Sequence, residues 1–354
     1  MRIGIVGAGA AGLAAGRRLA AAGHEIVIYE KSRGVGGRAA TRRTHGCTFD
    51  HGAQYLKTPD DLPEVARLAL EELPRDGLRD IRRPVWTFDK RNHIGEGDPQ
   101  SNAAPKWTYA EGLTTLGKLL GAGLDVRLET RVTRLERVPS GYRLRDTAGT
   151  SLGEVDRVLV TVPAPQAIDL LEGSAIDPRR ADAARTALAG ARYQPMYTAL
   201  LGYAAPPAGM VFAGGAPGDP RPYYALINTD RGHDVSWLAF ENDKGPERAP
   251  AGTLALVAQM AVPFSEAHDD AQPDRVAALA AELVGGLLGG ALARPIWHDL
   301  ARWRYAKPER TVDPATLNRD HDGLFFTGDY TTGWRLHLAL QAGLDVAKSL
   351  AENA

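Results

Sequence analysis

Ile3-Gly4-Ile5-Val6-Gly7-Ala8-Gly9-Ala10-Ala11-Gly12 decides the fold, because an apolar run breaks into glycines and then resumes as an alanine-rich segment. The pattern predicts a strand, a tight turn and a helix. Gly7 lets the chain turn sharply off the strand, Gly9 lets the backbone approach a pyrophosphate, and Gly12 lets the helix press against the sheet. The free N–H groups at the start of the helix then face the phosphate charge. The stretch therefore predicts a dinucleotide-binding unit.

A carboxylate follows the next predicted strand. Glu25 to Tyr29 is apolar after its first residue, and Glu30 stands eighteen residues past Gly12, where a side chain accepts the hydroxyls of a ribose. A glycine fingerprint alone is a weak signal. Here the strand before it, the helix after it and the acid are all present, so a glycine-rich turn without a ligand is disfavoured. The identity of the dinucleotide stays open at this point.

The loop after Glu30 is richer in glycine and arginine than a plain NAD-binding domain needs. It runs Lys31-Ser32-Arg33-Gly34-Val35-Gly36-Gly37-Arg38-Ala39-Ala40-Thr41-Arg42-Arg43. Its glycines let the backbone approach a ligand, and its arginines neutralise phosphate. For Arg42 and Arg43, a solvated surface position is an equal alternative.

A second cofactor signature lies near the other end of the chain. Residues 323 to 330 predict a strand ending in Gly328-Asp329, and a helix is predicted from Trp334 to Leu350. Asp329 is placed to hold a ribityl hydroxyl, and the helix start near Leu336 and His337 faces the pyrimidine end of a flavin, where reduction deposits negative charge. An aspartate that only caps a helix is the alternative. Together with the N-terminal fingerprint, the segment favours FAD over NAD.

Composition excludes several classes of protein. A chain of 354 residues suits two domains, and a formal charge of −1 disfavours nucleic acid and anionic membranes as partners. The single cysteine, Cys47, excludes an intramolecular disulfide and fits a reducing cytoplasm, and no signal or transit peptide is evident. Residues 277 to 293 are apolar but are interrupted by glycines, so no membrane span is expected. The nine histidines show no H-x-x-x-H spacing, and no metal site is expected.

The middle of the chain predicts a second sheet. Residues 157 to 163 form a nearly all-apolar run that returns the chain to a parallel sheet. Strand patterns at 197 to 201, 223 to 227, 235 to 240 and 253 to 260 predict an antiparallel sheet, with a glycine- and proline-rich loop over 204 to 222. This sheet is expected to cover the cofactor and to supply the substrate surface.

Aromatic side chains are the candidates for the substrate pocket. The six candidates are Tyr55, Trp107, Tyr224, Trp237, Trp303 and Trp334. Two or three of these six are expected to line the pocket. We select Tyr55, Trp237 and Trp303, together with Asn242, as catalytic candidates. Asn242 and Lys244 follow a strand and reach into the pocket, or they belong to a solvated turn. Hydride transfer to flavin N5 needs no general base if the product is a stable cation. A second fingerprint for NAD(P)H is missing, because Gly214 to Gly218 contains a proline where a helix should start, so oxygen is the simpler electron acceptor.

These motifs resemble the flavin-containing amine oxidase superfamily. The resemblance is carried by the N-terminal fingerprint, Glu30, Gly36-Gly37-Arg38 and Asp50 to Tyr55, and it covers most of the chain. Six segments resemble the renalase branch of this superfamily: Lys31-Ser32-Arg33-Gly34, Gly52-Ala53-Gln54-Tyr55, residues 237 to 244, 262 to 265 and 302 to 306, and Gly328-Asp329.

The resemblance implies an α/β fold with a Rossmann-like FAD-binding domain of the glutathione reductase type and a second, α+β substrate domain on an antiparallel sheet. The expected ranges are 1–58, 106–164 and 309–354 for the first domain, and 59–105 and 165–308 for the second. It also implies non-covalent FAD, oxidation of 2- or 6-dihydro isomers of NAD(P)H to NAD(P)+, and hydrogen peroxide formed from oxygen.

The resemblance also implies roles for single residues. Glu30 holds the adenosine ribose, Arg38 lies near the cofactor, Val132 contacts the adenine side through its backbone, and Gly52 to Gln54 lie along the flavin ring. The full set of expected cofactor residues is Gly7, Gly9, Ala11, Gly12, Glu30, Lys31, Arg33, Gly37, Arg38, Gly52, Ala53, Gln54, Val132, Gly328, Asp329, Leu336 and His337.

Two departures from the superfamily pattern stand out. Ala342-Gly343 replaces the frequent Ser-Gly, and the C-terminal region lacks the cysteine that attaches flavin in monoamine oxidases. An amine oxidase or a desaturase-like enzyme acting on an apolar substrate stays an alternative, because a fold does not fix a function. A flavin-binding protein without turnover is a further one, and the oligomeric state stays open.

Overall fold

The computed structural model describes residues 1–204, 211–212, 215, 221–319 and 322–352. The strands are β1 Arg2–Val6, β2 Glu25–Tyr29, β3 Thr41–Thr44, β4 Cys47–Asp50, β5 Leu78–Asp80, β6 Val85–Phe88, β7 Ile94–Gly95, β8 Trp107–Tyr109, β9 Asp125–Arg127, β10 Val132–Val138, β11 Gly141–Asp146, β12 Ser151–Val155, β13 Arg157–Val160, β14 Arg192–Ala204, β15 Ala225–Asn228, β16 Val235–Phe240, β17 Thr253–Met260, β18 Trp297–Arg310 and β19 Leu324–Phe326. The predicted loop over 204–222, and the glycine run inside it, lie largely outside the described residues.

The helices are α1 Ala10–Ala21, α2 Pro63–Arg67, α3 Pro99–Ala103, α4 Thr114–Gly121, α5 Ala164–Glu172, α6 Pro178–Ala189, α7 Val262–Ala267, α8 Pro273–Leu288, α9 Pro314–Asn318, α10 Asp329–Thr332 and α11 Leu336–Glu352. Short 3₁₀ turns occur at Gly37–Ala39, Glu241–Lys244, Pro246–Arg248 and Gly290–Ala293, and one π turn occurs at Leu68–Glu72.

The N-terminal stretch forms the centre of a five-stranded parallel sheet in the order β19-β13-β1-β2-β9. Ile3 and Ile5 are fully buried in one core with Leu13 of α1 and Leu340 of α11, so helices pack on this face of the sheet. The predicted strand, turn and helix are confirmed, and so is the α/β fold. Burial of such large apolar side chains stabilises each by about 1.5–3 kcal/mol.

The two ends of the chain pack together without side chains between them. A Cβ atom placed on Gly343 would lie 2.2 Å from the carbonyl oxygen of Ala11. Helix α11 therefore contacts α1 backbone to backbone, and only glycine fits at position 343. Helix α11 begins two residues later than predicted, after Gly333, whose φ of +117° breaks the chain direction.

The second sheet has seven strands in the order β18-β14-β17-β16-β15-β6-β7. Its strands pair antiparallel except for β15 with β6, which run parallel. Its core contains Phe240, Leu256 and Val284 of α8. The predicted antiparallel sheet is confirmed, whereas β18 was not predicted as a strand. Its alternation of charged and apolar residues, with Pro308 near its end, suits an edge strand that is only partly buried.

A smaller sheet of β10, β11 and β12 packs on the other face of the parallel sheet, where its Leu144 and Val155 share a core with Val27 and Val158. The strands β3 and β4 form one further pair, and β5 and β8 form another. The strands of the parallel sheet all come from the ranges 1–58, 106–164 and 309–354. The domain boundaries themselves stay a prediction. No helix in the described ranges has the length and apolar character that crossing a membrane requires.

Candidate functional site

A continuous cavity of about 1350 Å³ runs along the carboxyl ends of β1, β2, β13 and β19. Gly7 and Gly9 line it from the N-terminal turn, and Gly328 and Asp329 line it from the C-terminal segment. In open α/β sheets, ligands bind outside the carboxyl ends of the strands. The two glycine-framed segments therefore meet at one cavity, as a dinucleotide site at this edge requires.

The N-terminal turn leaves backbone open toward the cavity. Gly7 has a φ of +109°, and a Cβ on Gly12 would lie 2.2 Å from the Gly7 carbonyl oxygen, so Gly12 packs behind the turn and does not line the cavity. A Cβ on Gly9 would meet no atom within 4 Å. No side chain caps the first turn of α1, so its N–H groups are free to bind an anion.

Glu30 fixes the end of β2 to the glycine turn. Its Oε2 accepts the Ala8 backbone N–H at 2.9 Å, and its Oε1 accepts the Ser32 N–H at 2.8 Å. The side chain is largely buried yet lines the cavity. Because each carboxylate oxygen has two lone pairs, both oxygens keep one for ribose hydroxyls.

Asp329 lies between two partners that sequence reasoning did not connect to it. Arg38 Nη1 donates to its Oδ2 at 2.5 Å, and the Tyr193 hydroxyl donates to its Oδ1 at 2.8 Å. Arg38 also donates to the Tyr305 carbonyl oxygen at 3.0 Å. Burial, and then the charge of Asp329, raise the pKa of Tyr193, so this hydroxyl stays a donor. Tyr193 was missed because no local motif surrounds it.

The segment from Gly52 to Gln54 lies against the loop that contains Arg38. The Ala53 N–H donates to the Arg38 carbonyl oxygen at 2.9 Å, and Gln259 Nε2 donates to the Gly52 carbonyl oxygen at 2.6 Å. All three residues of the segment line the cavity. The segment is thus held from both sides on the cavity wall.

Aromatic side chains form a wall of the cavity. Tyr55, Trp237, Trp303 and Trp334 line it, with the Tyr55 and Trp237 ring centroids 6.1 Å apart. Trp303 Nε1 donates to the His51 carbonyl oxygen at 2.9 Å, which fixes the indole. Trp107 and Tyr224 lie away from the cavity wall. Four of the six aromatic candidates therefore lie on the cavity wall, and which of them line the substrate pocket stays a prediction.

The prediction that Asn242 reaches into the pocket is corrected by the structure. Its Nδ2 donates to the Thr253 carbonyl oxygen at 2.9 Å and its Oδ1 accepts the Ala255 N–H at 2.9 Å, so both ends of the amide are used in joining a turn to β17. Arg33 is exposed and does not line the cavity, whereas Lys31 does. Lys244 is fully buried in an ion-pair cluster, not in a solvated turn.

The other expected cofactor residues lie on the cavity wall: Ala11, Lys31, Gly37, Arg38, Gly52, Ala53, Gln54, Val132, Leu336 and His337. Their atomic contacts with a cofactor stay a prediction. In the described part of the chain, no group of three or more His, Cys, Asp and Glu side chains is arranged to hold a metal ion.

His51 beside this wall gives a prediction about pH. Burial, and then the charge of Arg42, lower the pKa of His51 to about 4, against about 6.5 in the unfolded chain. Between these values the unfolded state binds more protons, so the stability contributed by neutral His51 is lost as pH falls. We expect the free energy of unfolding to decrease by about 2 kcal/mol between pH 7.5 and pH 5 through this group alone.

Urea unfolding of the wild type and of His51→Gln at both pH values measures this effect. Glutamine keeps a polar side chain of similar length beside the Ala40 carbonyl oxygen, which lies 2.7 Å from His51 Nδ1, but it cannot be protonated in this range. The wild type should lose more stability than the variant on acidification. An equal loss in the two proteins would contradict the assignment.

The fold and the cavity define a dinucleotide-binding flavoprotein, and comparison with known proteins specifies the family. The sequence model of "Flavin containing amine oxidoreductase" matches residues 100–351, and that of "NAD(P)-binding Rossmann-like domain" matches residues 5–71. The match to the amine oxidoreductase model spans well over half of the chain. The chain belongs to the flavin-containing amine oxidoreductase family, and it is an FAD-dependent oxidoreductase.

Individual relatives are similar over short segments or in fold. The 4,4'-diapophytoene desaturase (4,4'-diaponeurosporene-forming) of Staphylococcus aureus strain Newman is 45% identical over 65 residues, which is 18% of this chain and 13% of the desaturase. The putative protoporphyrinogen oxidase of Exiguobacterium sp. 255-15 has a TM-score of 0.74 at 16% identity, with 100% of this chain and 99% of that chain covered. Cyclohexylamine oxidase of Brevibacterium oxydans IH-35A has a TM-score of 0.74 at 13% identity, with 99% of each chain covered. These two structures share the fold.

The residues present fit FAD. Gly9 provides a cradle that a Cβ would fill, the first turn of α1 is uncapped, and Glu30 keeps free lone pairs at the ribose position. The cavity of about 1350 Å³ exceeds the roughly 300–1,000 Å³ of an ordinary small-molecule pocket, as a site for a dinucleotide cofactor requires.

Proposed function

We propose that the protein is a renalase-like oxidase that converts 2- or 6-dihydro isomers of NAD(P)H into NAD(P)+. One donor molecule, one proton and one oxygen molecule give one oxidised nicotinamide and one hydrogen peroxide. The donor loses two electrons as a hydride, and oxygen gains the two electrons and two protons. Bound FAD supplies the site that accepts the hydride and passes the electrons to oxygen. We further propose a cytoplasmic location, on the composition of the chain.

The charge of the cavity wall carries this proposal. Nine lysine and arginine side chains line the cavity against four carboxylates. The cations are Lys31, Arg38, Lys57, Arg131, Arg231, Arg302, Arg304, Lys307 and Arg335, and the acids are Glu30, Asp169, Glu309 and Asp329. Such a wall repels a protonated amine and attracts a donor that carries phosphates. The excess of positive charge therefore favours a dinucleotide substrate over an amine.

The protein's own residues bind and orient the reacting molecules, and they exclude water from them. Glu30 and the Arg38–Asp329 pair would hold the cofactor, while Tyr55, Trp237 and Trp303, which line the same cavity, would pack against a planar nicotinamide. A dihydronicotinamide becomes an aromatic cation when it loses a hydride, so no side chain has to take a proton from it. The wall is accordingly suited to positioning a ring rather than to acid–base chemistry.

A second candidate function is oxidation or desaturation of an apolar substrate. Ile227, Met260 and Pro263 line the cavity together with the aromatic wall, and Ile227 is 40% exposed. The local similarity to a desaturase is in keeping with this candidate. It does not explain the positive charge, and we rank it second.

Anaerobic rapid mixing of the holoenzyme with each donor tests the proposal. We expect 2- or 6-dihydro-NAD(P) to bleach the flavin absorbance within seconds, and benzylamine to leave it unchanged. In air, NAD(P)+ and hydrogen peroxide should form in equal amounts. Bleaching by benzylamine but by neither dihydro isomer would overturn the proposal in favour of an amine oxidase. A yellow protein that no donor reduces would point to flavin binding without turnover.

A further inference from the structure

We propose that Lys307 and Arg335, which lie against Trp334, and Lys57, which lines the same cavity, form an anion-binding subsite that takes the phosphate groups of the substrate. The proposal deepens the proposed function and rests on it for the identity of the phosphate-bearing molecule. The three cations come from three separate segments of the chain, namely the loop after β4, strand β18 and the residue before α11. All of them, and the indole, line the cavity.

The indole of Trp334 brings two of the cations together. Lys307 Nζ lies 4.8 Å from the ring centroid, and Arg335 Cζ lies 5.0 Å from it. Trp334 itself is 51% exposed, which is unusual for so large an apolar side chain and leaves one part of the ring free. Cations held against an aromatic face keep a defined position while their N–H donors stay available. The arrangement presents donors beside an open ring.

Among the described residues these three cations have no ion-pair or hydrogen-bonding partner, unlike three of the other cations on the cavity wall. Arg38 is paired with Asp329, Arg302 with Asp269, and Lys31 donates to Gln166. Within the described residues, Lys57, Lys307 and Arg335 form no ion pair and no side-chain hydrogen bond with the protein. Asp98 acts on Lys57 at longer range, and Asp61 acts on the neighbouring His337. Positive charge accumulates here without compensation, so an anion would gain from binding.

The protonation behaviour of the group agrees with mutual repulsion. Burial, and then the charge of Arg335, lower the pKa of Lys307, and the same two causes act in the same order on Lys57. Burial, and then Arg335 and Lys57, lower the pKa of His337 to about 4, so this neighbour stays neutral and adds no charge at pH 7. A bound phosphate would relieve the repulsion between the three cations.

The phosphate in question is that of the substrate rather than that of FAD. The uncapped first turn of α1, with Gly9 and Arg38, already provides an anion site for the cofactor pyrophosphate. The proposed subsite lies near Tyr55 of the aromatic wall: burial raises the pKa of the Tyr55 hydroxyl, and the charge of Arg335 acts to lower it. A nicotinamide ring on the wall would thus have its phosphates next to the cations.

Titration of the holoenzyme with ADP-ribose and with inorganic pyrophosphate tests the subsite without relying on turnover. Lys307→Gln and Arg335→Gln should each raise the Kd for ADP-ribose about tenfold, the loss of roughly one charge-assisted contact. Lys118→Gln makes the same change of net charge at an exposed position on α4 outside the cavity, and it should leave the Kd unchanged. Flavin content is measured for every variant from its visible absorbance.

The reductive half-reaction then separates the subsite from the proposed function. In Lys307→Gln, the Kd for a dihydro-NAD isomer should rise about tenfold, while reduction by a phosphate-free N-alkyl dihydronicotinamide should be unaffected. Flavin reduction in the wild type with an unchanged Kd in both variants would overturn the subsite and keep the function. Lysine-dependent binding of ADP-ribose without flavin reduction by any isomer would keep the subsite and overturn the function. Variants that lose FAD itself would assign the cations to the cofactor and overturn the subsite.

Discussion

Replacing Gly52 by alanine is expected to abolish stable binding of FAD. A Cβ at this position would lie 2.0 Å from the Arg38 carbonyl oxygen and 3.0 Å from its carbonyl carbon. Both are backbone atoms, so no side chain can turn aside to make room. The Gln259 amide holds Gly52 from the other direction, through a hydrogen bond of 2.6 Å to its carbonyl oxygen. The methyl group must therefore push the loop of Arg38 out of place.

The loss of the cofactor should be large because Arg38 belongs to the pair with Asp329. Displacing one member separates two charges at the point where both cofactor segments meet. We expect the Kd for FAD to rise at least about a hundredfold, which corresponds to roughly 2.7 kcal/mol. The measurement is the ratio of flavin to protein absorbance after purification, followed by titration of the apoprotein with FAD.

Gly34→Ala is the matched control for this experiment. It adds the same methyl group in the same region, yet a Cβ on Gly34 would meet no atom within 4 Å, and Gly34 does not have a positive φ. It should keep its flavin and its melting temperature. Full flavin content and an unchanged spectrum in Gly52→Ala would show that the two loops do not need their close approach.

Sequence reasoning succeeded where a local pattern imposes a local geometry. The run from Ile3 to Gly12 predicted a strand, a turn and a helix, and the structure has Arg2–Val6, the turn and Ala10–Ala21. The position of Glu30 followed from the same spacing. Such motifs are readable because each glycine is required by the backbone within a few residues of it.

Features that depend on partners distant in the sequence could not be predicted from local patterns. Strand β18 was missed because an edge strand has no continuous apolar run, and its register with β14 is set by contacts about a hundred residues away in sequence. Asn242 was placed in the pocket because it follows a strand, whereas its amide is used by Thr253 and Ala255. A side chain's direction after a turn is decided by such bonds and not by its position in the sequence.

The buried charges near Gln54 are a further example of long-range pairing. Asp50, Glu241, Lys244 and Arg248 are all fully buried. Lys244 Nζ lies 3.1 Å from Asp50 Oδ2 and 2.8 Å from Glu241 Oε1, and Arg248 bridges the same two acids at 2.9 Å each. The spacing of Glu241, Lys244 and Arg248 places them near one another, but nothing local identifies Asp50 as their partner. Two positive and two negative charges thus compensate each other in the interior.

Replacing Asp50 by asparagine is expected to lower the free energy of unfolding by about 3–5 kcal/mol, the usual cost of removing one partner from a buried ion pair. Burial acts to raise the pKa of Asp50, but the charges of Lys244 and Arg248 outweigh it and hold this pKa well below its usual range. The carboxylate is therefore charged at pH 7, and its loss leaves one buried positive charge without compensation. Urea unfolding at pH 7, at constant FAD concentration, measures the change.

Two further variants make the interpretation specific. Asp125→Asn removes an acid of the same type from the exposed pair with Arg127, 2.9 Å away, and it should cost less than about 1 kcal/mol. The double variant Asp50→Asn, Lys244→Met should recover part of the loss, because the remaining Arg248 and Glu241 again balance each other. The double variant could instead be less stable than Asp50→Asn by the full cost of a second core substitution. The destabilisation would then come from lost packing, and compensation of charge would not be what stabilises this part of the interior.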